Sequence, residues 1–356
     1  MTTMRYKLLG KSGLRVSEIS LGTMTFGEEW GFGVNAAECK KLLDLYVEAG
    51  GNFIDTANKY TEGSSERIIA DLIAAERERF VVATKYTLSM RKGDPNASGN
   101  HRKNLVQSVN ASLKRLRLDY IDLLWVHAWD FTTDPAQVMR ALDDVVRAGK
   151  VLHIGISDAP AWLVSQANTI ADLRGWTPFD ALQIEYSLIQ RTVERELLPM
   201  AKAFGLTVTP WGAIGGGVLS GKYTRNAGGD IDSKRVNGNQ SRLSDRNLAI
   251  ARVVDAIADE TGHTSTQIAL NWVRQQGANI VPIIGARKPE QLSDSLACLS
   301  FALSSDHLQR LNEASHVELG FPHDFIRNEN IRNIVYGDQY PKLDWDAARH
   351  GAPRRA

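Results

Sequence analysis

Three apolar runs in the first half of the chain each end in an ionisable residue. Phe53-Ile54 leads into Asp55, Val81-Val82-Ala83-Thr84 into Lys85, and Leu123-Leu124-Trp125-Val126 into His127. Tyr60 follows Asp55 by five positions. Each residue alone reads as a rim salt bridge or a packed core group. Together they read as chemistry. A lysine ending an apolar strand is costly unless paired, and Asp55 is its natural partner. An ammonium beside a phenol favours the phenolate, so Lys85 is expected to lower the pKa of Tyr60. A tyrosine so tuned acts as a general acid toward a carbonyl oxygen. His127 can donate a hydrogen bond to the same oxygen and orient it. The chain carries no H-E-x-x-H and no Cys/His cluster, so no metal is expected.

These residues need a scaffold that brings successive strand ends to one rim. Strands are expected over 18–21, 52–55, 80–84, 121–126, 151–157, 181–185, 207–210 and 280–284. Helical periods lie between them. Cys39, Leu42, Leu43, Tyr46 and Val47 share one face, as do Leu105, Val109, Leu113 and Leu116. Val138, Leu142 and Val145 repeat the pattern, and so do Ile250, Val253, Val254 and Ile257. Gly50 and Gly149 stand where helices should end. Eight strands each feeding a helix point to a closed (β/α)8 TIM barrel, whose active sites lie at the carboxyl ends of the strands. The structural rival is an open doubly wound sheet. No G-x-G-x-x-G opens a helix after the first strand, which counts against a dinucleotide-binding unit of that kind. Residues 6–9 and 14–16 flank Gly10-Lys11-Ser12-Gly13 and predict a hairpin across the barrel floor. A single domain is expected, with its core over about 8–311. Residues 221–244 read as a long loop at the catalytic face and 315–356 as a C-terminal extension.

Composition agrees with a folded enzyme. The chain has 356 residues, 43% hydrophobic and 23% charged, with 42 Lys plus Arg against 41 Asp plus Glu. That balance argues against a nucleic-acid binder. Two cysteines, Cys39 and Cys298, exclude a disulfide scaffold and suit a reducing compartment. No secretory leader is visible at the start, so a cytoplasmic location is expected. The charge-free stretch 203–221 holds six glycines and Pro210, and reads as strand plus loop rather than a membrane span.

The run Gly51-Asn52-Phe53-Ile54-Asp55-Thr56-Ala57-Asn58-Lys59-Tyr60, continued by Gly63-Ser64-Ser65-Glu66, resembles the signature of the aldo-keto reductases. Thr84-Lys85 and Trp125-Val126-His127 are similar to that family's lysine and histidine positions. The likeness runs from about Leu8 to about Leu311 and is to the bacterial-type, NADPH-dependent members. The chain is similar also to the potassium-channel beta subunits that share the fold. Thr61 departs from the pattern, since glycine often follows the tyrosine. The resemblance implies reduction of an aldehyde or ketone by hydride from NADPH, with NADH less suited. Tyr60 would be the general acid, Lys85 and Asp55 would tune it, and His127 would orient the substrate.

The resemblance also implies where the cofactor lies. Gly22, Thr23 and Met24 would run under the nicotinamide ribose, beside Asp55. Ser157, Asp158 and Gln183 would hold the carboxamide, with Asp158 where asparagine is usual. Trp211 would stack on the nicotinamide. Gly212, Ala213, Ile214, Gly216 and Gly217 form a glycine-rich loop able to cradle a pyrophosphate, with Lys222 adding charge and Arg235 a further contact. Gly285, Ala286, Arg287, Gln291, Asp294 and Ser295 resemble the adenosine-phosphate segment, with Arg287 able to fork onto a 2′-phosphate. Trp30, Tyr86 and Trp129, with Met24, are candidate walls of the substrate pocket. Phe321, Phe325 and Tyr336 of the extension are further candidates. The partner expected is a small carbonyl compound, with no nucleic acid or membrane, and a homo-oligomer is left open. Two other functions stay open. One is an NADPH-sensing regulatory subunit of slow turnover. The other is a lyase using Lys85 as a Schiff base.

Overall fold

The computed structural model describes residues 4–225 and 240–344. It opens with an antiparallel hairpin, β1 (Tyr6–Leu8) and β2 (Arg15–Ser17). Parallel strands follow: β3 (Ser20–Gly22), β4 (Phe53–Asp55), β5 (Val81–Tyr86), β6 (Ile121–Val126), β7 (Val151–Ser157), β8 (Ala181–Glu185), β9 (Thr207–Trp211) and β10 (Ile283–Ile284). Their spatial order is β10-β3-β4-β5-β6-β7-β8-β9. Between β9 and β10 the ring is completed by a bridge at Val208 and Ile280, with Val208 N–H donating to Asn279 and Val281 N–H donating to Val208, both at 2.8 Å. The architecture is the (β/α)8 barrel. The last strand is shorter than expected because Pro282 lacks a donor and only two residues beyond it pair with β3.

Helices cover the outside. They are α1 (Ala36–Glu48), α2 (Ser64–Ile73), α3 (Arg102–Leu116), α4 (Pro135–Arg147), α5 (Ala161–Arg174), α6 (Leu197–Phe204), α7 (Asp245–Thr261), α8 (Ser265–Arg274), α9 (Pro289–Leu296) and α10 (Ser305–Ala314). Each buries the stripe its periodicity marks, such as Cys39, Leu42, Leu43 and Tyr46 on α1. Side chains that start the helices satisfy their free N–H groups: Asn35 for α1, Asp134 for α4, Ser244 for α7 and a Thr264–Gln267 capping box for α8. Two short helices, α11 (His323–Arg327) and α12 (Glu329–Tyr336), lie in the described extension. The loop residues 226–239, Arg235 among them, lie outside the described residues.

Alternation along the strands divides the core in two. Odd-numbered positions of β4, β5, β6 and β8, namely Phe53, Val81, Ala83, Leu123, Trp125 and Ala181, fill the barrel interior together with Val281. The hairpin closes that interior from below with Leu9 and Val16. It is fastened by Thr207, whose hydroxyl donates to Leu8 (2.9 Å) and accepts from Gly10 N–H (2.8 Å). The alternate residues, such as Ile54, Val82, Leu124 and Ile154, face the helices. Interior volume is set by one pairing: Trp125 lies opposite Gly155 in register. A Cβ on Gly155 would stand 2.4 Å from the Trp125 ring. We expect Gly155→Ala to cost about 1–3 kcal/mol through overpacking, read as a lower urea midpoint with unchanged slope.

Candidate active site

The same alternation lifts polar residues above the packed interior. Asp55, Lys85 and His127 continue the inward rows of β4, β5 and β6 to their carboxyl ends. Lys85 is fully buried. Its Nζ lies 2.5 Å from Asp55 Oδ2 and donates to the Thr56 carbonyl at 2.9 Å. It also stands 4.7 Å from the centre of the Tyr60 ring. The other Asp55 oxygen accepts from Gln183 Nε2 at 2.9 Å. The His127 ring meets the Tyr60 ring edge-on, with centres 5.9 Å apart. Asp55, Lys85 and His127 from three strand ends thus converge with Tyr60 of the turn after β4, and Tyr60 sits between the cation and the imidazole.

Charge states follow from these surroundings. Burial would push the Lys85 ammonium down, but Asp55 and Tyr60 outweigh it and the group is raised above its ordinary value. Burial raises Tyr60 more than Lys85 lowers it, so the phenol is held up rather than down. This corrects the expectation that the ammonium would lower it, because lost hydration is the larger effect here. His127 falls to about 3, through burial first and the Lys85 charge second. The site at neutral pH is therefore an ion pair, a neutral phenol and a neutral imidazole. His127 Nδ1 is buried with no protein partner.

The turn that carries Tyr60 is unusual. Thr61, Glu62 and Gly63 all have positive φ, at 47°, 54° and 88°. Left-handed backbone costs a non-glycine residue roughly 1–2 kcal/mol, which gives a reason why glycine would be favoured after the tyrosine. Thr61 offsets the cost with its hydroxyl, which donates to Phe26 (2.6 Å) and accepts from Ser65 N–H (3.0 Å). Glu62 accepts from the Trp30 indole at 3.2 Å, and Trp30 packs edge-on against Tyr60 with centres 6.2 Å apart.

Other expected site residues are placed as follows. Thr23 is buried and bonded to the Asp55 carbonyl, while Met24 is exposed beside it. Ser157 is buried at the end of β7, and Asp158 has a φ of 40°, a conformation that aspartate and asparagine tolerate. The Asp158 carboxyl is raised by lost hydration, against a Trp211 hydrogen bond and the Lys85 charge that pull it down. Trp211 is half-buried at the end of β9. Gly212, Gly215, Gly216 and Gly217 all have positive φ, so the loop around Ala213 and Ile214 is open only to glycine at those points. Lys222 lies over the Tyr223 ring. Gly285 is exposed, and Ala286 and Ser295 are buried. Gln291 accepts from the Arg287 backbone N–H at 3.0 Å. Asp294 is engaged at the start of α8, accepting from Thr264 and Gln267 at 2.9 and 2.7 Å.

One expected pocket wall is not where the sequence suggested. Tyr86 is fully buried and packs into the layer between strands and helices, with its hydroxyl toward the Asn100 carbonyl. It follows Lys85 directly, so pleating sends it to the opposite face. Phe321, Phe325 and Tyr336 are largely exposed on the extension. Trp129 is buried and Trp30 half-buried at the rim.

Sequence reasoning also missed supporting residues. Asn100 and Asp130 clamp the loops after β5 and β6: each backbone N–H donates to the other's side chain, at 2.6 and 2.7 Å. Asn100 Nδ2 also donates to Ala128, the residue after His127, at 3.0 Å. Buried Glu66 accepts from Thr84 (2.6 Å) and Arg115 (2.5 Å), bolting β5 to α2 and α3 directly behind Lys85. Arg242 pairs with Glu185 at 2.5 Å, tying the end of the long loop to β8. Separation along the chain hides such pairs; only Glu66 lay within a recognisable motif.

Residues 18–316 match the Aldo/keto reductase family. The chain belongs to this family. An aryl-alcohol dehydrogenase of Pestalotiopsis microspora is 38% identical, covering 90% of this chain and 85% of that protein. A norsolorinic acid reductase of Aspergillus flavus is 38% identical over 90% of this chain and 83% of its own. An aryl-alcohol dehydrogenase [NADP(+)] of Phanerodontia chrysosporium is 35% identical over 96% and 94%. As an aldo-keto reductase the chain is an oxidoreductase of a family that uses nicotinamide cofactors and acts on small carbonyl compounds. Among the described residues no cluster of His, Cys, Asp and Glu could hold a metal, and no helix is long and apolar enough to cross a membrane.

The neutral state of His127 has a consequence for stability. The unfolded imidazole takes a proton below its ordinary 6.5, while the folded one resists until about 3. Stability therefore falls as pH falls through that window, by about 2 kcal/mol at pH 5 from this group. We expect His127→Gln to reduce the loss in urea midpoint between pH 7 and pH 5.

Proposed function

We propose that this chain reduces an aldehyde or ketone to an alcohol with NADPH, and that Tyr60 delivers the proton. The observation that carries the reading is the Lys85 ammonium, held by Asp55 and Thr56 and set against the Tyr60 ring beside His127. The nicotinamide supplies the hydride when bound. The protein's task is the oxygen. A neutral His127 donates a hydrogen bond that orients it, and neutral Tyr60 gives up its proton as charge builds there. The phenolate left behind is stabilised by Lys85, whose own charge is balanced by Asp55. Burial keeps the acid protonated through neutral pH, and the ammonium makes its conjugate base tolerable.

The cofactor residues fit that role on chemical grounds. Ser157 has a hydroxyl to give the carboxamide oxygen. Gln183 has committed its N–H to Asp55, so it offers its carbonyl oxygen, and Asp158 is a second acceptor. Two acceptors and one donor match a primary amide, so aspartate at 158 serves as well as asparagine would. Trp211 offers a ring to the nicotinamide. The left-handed glycines of 212–217 give a tight loop in which Gly215 and Gly217 N–H donate to the Gly212 and Ile214 carbonyls; such a backbone allows close approach of a pyrophosphate, with Lys222 to add charge. Arg287 suits a 2′-phosphate, which favours NADPH over NADH; Asp294 has only its remaining lone pairs for the adenine. The orphaned His127 Nδ1 is consistent with a site that is completed by what it binds.

Aromatic carbonyl compounds are the substrate class we favour. Trp30 and Phe32 pack together, with centres 5.8 Å apart, beside Tyr60, and the similar proteins include enzymes named for aryl alcohols. A Schiff-base lyase is disfavoured because it needs a neutral amine, and Lys85 is held as a buried ammonium. The two cysteines are buried and unbonded, which suits the cytoplasm.

Tyr60→Phe should lower kcat for benzaldehyde reduction by at least about 100-fold while NADPH still quenches tryptophan fluorescence at a similar Kd. Full activity would remove Tyr60 as the acid, and tight NADPH binding with no wild-type turnover on a carbonyl panel would favour a sensor. Arg287→Ala should raise KM for NADPH by about tenfold or more, the value of one charge-assisted phosphate contact, with little change for NADH. Equal effects on both would take Arg287 away from the 2′-phosphate.

A further inference from the structure

The described surface concentrates its large exposed apolar side chains in one place. Six of the fifteen among the described residues, Phe321, Phe325, Ile326, Ile334, Val335 and Tyr336, fall within sixteen residues of the C-terminal extension. Their exposures run from 40% to 84%. Neither α11 nor α12 has a single buried residue. An eight-residue helix in water is unstable without a packed face, so α12 needs cover that the barrel does not provide.

The root of the extension is nevertheless fixed to the barrel. Arg191 donates to Asn312 and Ser315 at 3.1 and 2.7 Å, Arg195 donates to the Glu318 carbonyl at 2.7 Å, and His323 meets Glu196 at 3.0 Å. These bonds hold the segment against the loop after β8.

We propose that this surface is the interface of a homodimer, formed by the extensions of two copies of this chain. The area is right. Counting ~150–250 Å² for a whole aromatic side chain, the six expose on the order of 600–700 Å² together. That approaches the ~800 Å² that each partner buries in a stable complex. The charges are also right. Asp324, Arg327, Glu329 and Arg332 mix both signs through the patch, which suits an isologous contact where each residue can meet its opposite on a two-fold partner. A surface meant for an anionic membrane or a nucleic acid would be basic throughout. The net charge of +1 leaves little repulsion between copies.

The test is sedimentation velocity of the full-length protein from 1 to 100 µM. The wild type should sediment at twice the chain mass across the upper part of the range. The double variant Ile334→Glu with Val335→Glu should weaken self-association at least about 30-fold, the effect of losing a hot spot. Leu173→Glu, at an equally exposed site on α5, should leave the dimer intact. Amide exchange of 329–336 should slow as wild-type concentration rises, which reads the interface without any substitution. A monomeric wild type at 100 µM would overturn the proposal and leave the extension covered by its own chain or by a different protein. A double variant that remains fully dimeric would overturn it too, placing the contact elsewhere.

Discussion

The structure is organised around one buried cation. A lysine ammonium removed from water costs several kcal/mol unless charge and hydrogen bonds replace its hydration. Lys85 obtains both from the neighbouring strand: the Asp55 carboxylate at 2.5 Å and the Thr56 carbonyl at 2.9 Å. Those contacts require β4 and β5 to hold register to within a residue, since a slip of one would turn Lys85 into the helix layer. Phe53 opposite Val81 and Asp55 opposite Ala83 fix that register, and the packed interior below leaves no room for another. Behind the strand, buried Glu66 joins Thr84 to Arg115 and holds the outer face still. The ion pair is a weak source of stability. Its value is positional, because it places a charge where a phenol can feel it.

Strain near Tyr60 is part of the same arrangement. Regular backbone after β4 would carry residue 60 away with the chain. The left-handed turn at 61–63 reverses it, and bonds from Thr61 to Phe26 and from Trp30 to Glu62 hold the turn closed. On the opposite side, the Asn100–Asp130 clamp fixes the loops after β5 and β6 and therefore the bearing of His127. Tyr60 and His127 thus hang between two laced pairs of loops, which suits the catalytic geometry we propose for them.

Much of this could be read from the chain before any coordinates. The strand ends at Asp55, Lys85 and His127 were legible because two-residue pleating and apolar runs are local signals. The hairpin floor was legible from Gly10-Lys11-Ser12-Gly13. Tyr86 was misjudged although the same pleating rule applies to it; a residue next to an inward lysine must face out. The direction of the Tyr60 shift was hidden for a different reason. It depends on the balance between lost hydration and a nearby charge, and sequence gives the charge without the burial. Asn100 and Asp130 are thirty residues apart, and nothing local marks them as partners. Thr61 was visible as a departure, but its hydroxyl could be credited only once the positive φ was known.

The charge states explain why four ionisable residues can share one small volume. A carboxylate, a phenolate and a protonated imidazole near an ammonium would repel or collapse into salt bridges. Here burial discharges the imidazole and keeps the phenol whole, and the Lys85 and Asp55 charges cancel within 2.5 Å. A carbonyl entering such a site meets dipoles, not a net field, until its oxygen gains electron density. At that moment the proton on Tyr60 and the charge on Lys85 act in the same direction. In the mechanism we propose, the environment that makes Tyr60 a reluctant acid in the resting protein would also make it a selective one, giving its proton only to an oxygen that has become strongly basic.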